Sequence, residues 1–306
     1  MPTRKGSFHL FTLFGIEVFL HWSWFLVAVY GIKIRMDSYS SMLWPVLEYL
    51  TLFLIVIMHE FGHALACRSV GGQANQIVLW PLGGVAYVSP PQRAGAMLWS
   101  IAAGPLVNVA LFPILSALWW VGHAAGWMVH ASDFYRFIQG IWFINTALLV
   151  FNLMPVYPLD GGQILRSLLW FPFGRAKSLY IASIVGFVGI AGFVALAFWL
   201  QSVWLGILCV FIAMNCWNGF KQARALMLIA NAPRRLGFHC PVCRTVPPQG
   251  DFWLCGQCRN PFDTFATQGS CPHCPAQYPV AACPECGSQR PFSEWTSSTS
   301  ASHQAH

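Results

Sequence analysis

Six apolar runs between residues 18 and 220 constrain this chain more than any other feature. They cover residues 18–34, 47–66, 94–120, 137–153, 179–200 and 203–220, the last two joined by a very short turn. A helix that crosses a bilayer needs about 20 mainly apolar residues, so each run reads as a span. Composition agrees: Asp, Glu, Lys and Arg make up 9% of the chain, against about 25% in a soluble protein. The expectation is an all-α polytopic membrane protein of about six transmembrane helices. Arg4 and Lys5 lead into an aromatic stretch and Gly15 without a small-residue cleavage site, so no cleavable signal peptide is expected.

The cationic residues set the orientation. With the N-terminus inside, the inner segments carry Arg4, Lys5, Arg68, Arg93, Arg166, Arg175, Lys177, Lys221, Arg224, Arg234 and Arg235, and the outer ones Lys33, Arg35 and Arg136. Both termini are therefore expected in the cytoplasm, most simply at a bacterial inner membrane. The net charge of +7 is spread along the chain rather than gathered into a stripe, which argues against nucleic acid as a partner.

Polar groups inside the apolar runs carry the chemistry. The second run contains His59-Glu60-Phe61-Gly62-His63. Two His four residues apart share one helix face and can reach one metal, while Glu60 sits about 100° round the helix, within reach of a water there. An ionised group in lipid costs about 2.5 kcal/mol or more unless it faces a cavity or a partner. The fourth run ends in Asn152-Leu153 and is followed by Pro155, Pro158, Asp160, Gly161 and Gly162. Two prolines break the helix, and unwound backbone at membrane depth survives only where protein or a water-filled cavity satisfies it. Asp160 is thus presented on the same side as His63. In the third run, Gly104-Pro105-Leu106-Val107-Asn108 permits close helix contact and leaves Asn108 as an uncharged hydrogen-bonding group.

These segments together resemble the site-2 protease family of intramembrane zinc metalloproteases. Residues 15–23 look like that family's entry into its first span, and Pro81-Leu82-Gly83-Gly84 like its segment after the metal helix. The resemblance covers about residues 8–225, in order and spacing, and no catalytic position is missing. It implies His59, His63 and Asp160 as ligands of a catalytic zinc, Glu60 as the base that activates water, and Asn108 and Asn152 lining the substrate site. The implied substrate is a transmembrane or membrane-proximal protein segment, cut in regulated proteolysis. Ile77–Trp80 and 85–89 read as a short membrane-associated β-hairpin around Pro81-Leu82-Gly83-Gly84, whose edge either offers an extended substrate a strand to pair with or simply packs on the helices.

After residue 230 the apolar runs stop and four C-x-x-C pairs appear: Cys240/Cys243, Cys255/Cys258, Cys271/Cys274 and Cys283/Cys286. A reducing compartment disfavours disulfides, and two such pairs close a tetrahedral thiolate site. Taken in sequence, they form two zinc ribbons, the first two pairs on one structural zinc and the last two on another. A crossed arrangement, with the first pair joining the last, is the alternative. A dithiol oxidoreductase would need strand and helix patterning that this segment lacks. The expected organisation is a membrane domain over residues 1–230, tandem ribbons over 231–291 with a protein as their partner, and a disordered tail over 292–306. Three zinc ions per chain follow, one catalytic and two structural. The competing function is a non-enzymatic zinc transporter or sensor that passes metal from the His/Asp cluster to the thiolates; Glu60 argues against it, because transport needs no acid beside a ligand.

Overall fold

A computed structural model describes residues 6–80 and 83–296 and divides into two compact units, the second comprising residues 175–177 and the chain from Lys221 onward. Pro81 and Leu82, the first half of the expected turn over residues 81–84, lie outside the described residues, as does the tail from residue 297.

In the first unit, β1 (Ser7–Leu13) and β2 (Ile16–His21) form an antiparallel hairpin turned by Phe14 and Gly15, both at positive φ. Helix α1 (Trp24–Met36) follows, then α2 (Leu43–Ser69), which carries both histidines. The hairpin after α2 pairs β3 (Gln73–Trp80) with β4 (Gly83–Ser89), and β2 lies parallel to β3, giving a four-stranded sheet of order β1-β2-β3-β4. Next come α3 (Ala94–Ala124), the short α4 (Trp127–His130), α5 (Ser132–Leu153), α6 (Asp160–Trp199) and α7 (Val203–Asn231). Gly174, at φ 76° and ψ 172°, breaks α6 into two helical segments.

The expectation of six spanning helices is met in part. Among the described residues, α2, α3, α5 and α6 are long and apolar enough to cross a membrane. The sixth expected run lies within α7, a continuous helix of 29 residues. The first is not one helix. Its β-branched start, Ile16 to Val18, is taken by the sheet, and α1, with 13 residues, rises only about 20 Å. The chain passes α2 as a strand followed by a short helix: Trp24 packs on Tyr49 and Phe53, and Arg35 pairs with Glu48 at 3.1 Å. The predicted hairpin is present, but as half of a larger sheet, with β4 a terminal strand.

Helix α2 divides its faces. Phe61, Ala64 and Cys67 pack on Ile16, Val18, Ile77 and Leu79 of the sheet. His59 and His63 point elsewhere, toward α3, whose Gly104 has no side chain to keep them away. Around the helices many large apolar side chains are exposed, among them Phe25, Val29, Val188, Phe198 and Trp199. That surface suits lipid rather than water.

In the second unit, β5 (Trp253–Leu254) pairs with β6 (Pro261–Phe262), and β7 (Val280–Ala282) with β8 (Gln289–Pro291), each antiparallel. Each hairpin carries one cysteine knuckle in its turn. A 3-10 turn follows at Phe292–Glu294, and Trp295 is fully buried against Phe265, with Phe238, Trp253 and Phe292 packed around them. The boundary expected at residue 291 therefore falls too early: Trp295 supplies a core side chain, and its carbonyl accepts from His239 N–H at 2.8 Å. Serine and threonine richness hid one indole that the small unit needs.

Candidate metal centre

His59, Glu60 and His63 stand on α2 and are buried, as hydrophobic runs on both sides of the motif dictate. Asp160 opens α6, where the positive end of the helix favours a carboxylate. The segment that delivers it, residues 154–159, is stabilised by its own bonds and by its neighbours. Val156 N–H donates to Met154 O, Leu159 N–H to Val156 O, and the Gln163 amide to Pro158 O. Cys216 Sγ–H on α7 donates to Tyr157 O at 2.5 Å, so this cysteine is more than a small apolar filler. Val156 sits in an apolar cluster with Ile190, Phe193, Cys209 and Ile212. Gly161 and Gly162 let this segment fold back, because a Cβ on either would collide with backbone of residues 153–157.

The three donors converge. His59 Nε2 and Asp160 Oδ2 are 3.1 Å apart, His63 Nε2 and Asp160 Oδ2 3.4 Å, and the two Nε2 atoms 3.1 Å. Donors at about 2.0–2.1 Å from a tetrahedral zinc lie about 3.3 Å from one another, so the spacing fits that ion. The hydrogen bonds fix the chemistry of the set. His63 Nδ1–H donates to Ser100 O at 2.9 Å, and His59 Nδ1–H to Asn108 Oδ1 at 2.7 Å. Both rings can thus turn an Nε2 lone pair toward the carboxylate, and three such donors at this distance fit a metal cation. Gly104 completes the fit: a Cβ there would overlap His63 Nε2 and lie 2.8 Å from His59 Nε2.

Asn108 sits behind His59, fully buried, rather than facing a substrate channel. The reading of Asn108 as a substrate-lining group is thereby corrected: its side chain is engaged by His59 and by Asn145 on α5. Asn152 is half-buried in the last turn of α5, and among the described residues no hydrogen bond links it to the cluster. Asn145, also fully buried, escaped the sequence reading, because an isolated Asn in an apolar run has no spacing to flag it. His21 stacks on Trp80 at 4.0 Å, and His123 contacts Tyr135, both away from the metal cluster.

The tail forms two thiolate clusters, paired in the crossed manner. Cys240, Cys243, Cys283 and Cys286 form one, with sulfurs 3.6–3.7 Å apart across the knuckles; Cys255, Cys258, Cys271 and Cys274 form the other, at 3.5–3.7 Å. Four sulfurs at about 2.3 Å from a zinc lie about 3.8 Å apart. All are free thiols. The sequential pairing is corrected, and aromatic packing is the reason. Loop closure alone favours the sequential pairing, which closes the shorter loops, by only about 1–2 kcal/mol. The outer cysteines share a core with Phe265 and Trp295, whereas the inner ones pack with Phe262, Ala276 and Tyr278.

Comparisons with known proteins follow the same residues. The model of the family described as Peptidase M50B-like matches residues 26–156, and that of Peptidase family M50 residues 120–196, a region that includes Asp160. Zinc metalloprotease MJ0392 of Methanocaldococcus jannaschii is 33% identical over 182 residues, 59% of this chain and 50% of that protein. Stage IV sporulation protein FB of Bacillus subtilis is 31% identical over 182 residues, 56% of this chain and 58% of that one. The chain thus spans about half the length of these relatives. The solved site-2 protease from Methanocaldococcus jannaschii superposes with a TM-score of 0.48 at 25% identity, over 70% of this chain and 95% of that one. The motif helix, its partner helix and the Asp-bearing helix start all lie inside the residues that match the models described as Peptidase M50B-like and Peptidase family M50.

Proposed function

We propose that this membrane protein is a zinc-dependent intramembrane endopeptidase that hydrolyses peptide bonds in transmembrane or membrane-proximal segments of other proteins, as a step in regulated proteolysis. The observation that carries the reading is the convergence of His59, His63 and Asp160 to within 3.1–3.4 Å beside a buried Glu60. These three would hold the zinc. When bound, it supplies Lewis acidity to the scissile carbonyl and to the attacking water. Glu60, one residue after a ligand, takes the water's proton and returns it to the leaving amine. His59 and His63 stay oriented throughout, because their Nδ1–H groups are tied to Asn108 and Ser100. Asn152, near the broken helix that bears Asp160, is the better placed of the two predicted asparagines to meet a substrate.

A helical substrate must unwind before its carbonyl is accessible, and β4, a terminal strand, offers an extended segment a partner. The excess of Lys and Arg on the inner segments supports both termini in the cytoplasm of a bacterial cell, with the site opening to that side. The two thiolate clusters support two structural zincs, in a unit whose role is to bind a protein, either substrate or regulator. The test is Glu60→Gln in the purified full chain with a reconstituted membrane substrate. Retention of the zinc content with cleavage reduced at least about 100-fold is the expected outcome, and cleavage at the parental rate would refute the mechanism.

A further inference from the structure

We infer that Asn145 is a positioning residue for the metal centre, fixing the ring tautomer of His59 by way of Asn108. The inference rests on the metal reading above and goes beyond it by assigning a task to a residue that is neither one of the three donors nor Glu60.

The backbone carbonyl of Asn108 can accept a hydrogen bond and cannot donate one. Asn145 Nδ2 lies 3.1 Å from it, so the Asn145 amide must turn its NH2 to that carbonyl. Its Oδ1 then faces Asn108 Nδ2 at 2.9 Å and accepts from it. With its NH2 engaged, Asn108 must turn Oδ1 toward His59 Nδ1, at 2.7 Å. That oxygen takes a proton from Nδ1, which leaves Nε2 unprotonated and aimed at Asp160 and His63. A main-chain atom on α3 is thus read by α5 and passed to a ligand on α2.

The two histidines show why a second residue is needed. His63 donates to the carbonyl of Ser100, which has no alternative orientation. His59 donates to an amide, which could equally present NH2 after a half-turn. With NH2 facing it, the ring would have to accept at Nδ1 and carry its proton on Nε2, where a metal cannot be bound. Asn145 removes that option. It lies on the buried stripe of α5 with Ile138 and Ile141, where an apolar residue would pack without the cost of a buried amide. Among the described residues, both of its side-chain hydrogen bonds go to Asn108.

The test is zinc affinity of the detergent-purified full chain by chelator competition, with the two tail zincs as internal reference. Asn145→Leu, and the less bulky Asn145→Ala as its pair, should weaken the third zinc about 10- to 100-fold, the usual effect of losing a residue that orients a ligand. The decisive variant is Asn108→Asp, because either oxygen of a carboxylate accepts from His59 and no flip remains to be prevented. Asn145→Ala should therefore weaken zinc in the parental protein and leave its affinity unchanged in an Asn108→Asp background. Cobalt bound at the sulfur-free site should report the same pattern in its absorption. Unchanged affinity in Asn145→Ala, or an equal loss in both backgrounds, would overturn the inference while the metal reading stands. If His59→Ala with His63→Ala keeps all three zincs, the metal reading falls and the inference with it.

Discussion

Gly104 contributes to the site by lacking a side chain: the two imidazoles occupy the space its Cβ would take. Gly104→Ala is therefore expected to cost the chain one zinc of three and to abolish cleavage, although the change adds a single methyl to an apolar helix. Zinc per chain by elemental analysis checks this, and a parental count with parental cleavage would mean the helices move apart at no cost. At this scale the sequence was informative where residue type and spacing carry meaning. His59, Glu60 and His63 are one helical turn of chemistry, and Asp160 is marked by the prolines before it and the glycines after it. Asn108 was visible only as a polar residue near a Gly-Pro pair, so its direction was misjudged. Asn145 was not visible at all, since it is identified by what it faces across the helix pair.

Among the elements, the cysteine knuckles share one local design. In each, the first cysteine N–H donates to the carbonyl five residues on, and after three of the four the chain turns through positive φ, at Arg244, Arg259 and Gly287. That repetition made the metal sites legible and their partners illegible, because identical knuckles do not say which two meet. The crossed pairing has a direct consequence. Cys240→Ser and Cys283→Ser should each lose the same zinc, so their combination still retains the other tail zinc; Cys240→Ser with Cys255→Ser should lose both. Elemental analysis of these variants distinguishes the two pairings. The same unit depends on Asp263. Burial works to raise its pKa, but hydrogen bonds from the backbone N–H of Gly250 and Ala266 and the Arg235 guanidinium at 2.5 Å outweigh it, and the carboxyl is held below its ordinary value. Its contribution is therefore complete at neutral pH and is lost as pH falls through the lowered value. Asp263→Ala should destabilise the unit by about 1–3 kcal/mol, the cost of stranding these donors. Tryptophan fluorescence during denaturant unfolding of the zinc-loaded protein measures it.

For the molecule as a whole, scarcity of charge announced a membrane protein, and the four helices long enough to cross bear that out. What composition could not express was the first crossing. Residues 18–34 have the hydropathy of a span, yet β2 joins a sheet that also includes the expected hairpin, because pairing with β3 satisfies its backbone and buries Ile16 and Val18 against α2. Average hydropathy does not distinguish a strand plus a short helix from one longer helix. The tail boundary failed for a related reason, since one buried Trp295 outweighs the disorder-prone residues around it.

The central claim is that one zinc, held by α2 and the start of α6, performs the chemistry while two others hold the tail. Zinc content and cleavage of a reconstituted membrane substrate should be measured together, in the parental chain and in His59→Ala with His63→Ala. The account predicts three zincs and cleavage in the first, and two zincs and no cleavage in the second. Cleavage that persists in the double variant, or a zinc count the substitutions leave unchanged, would contradict it.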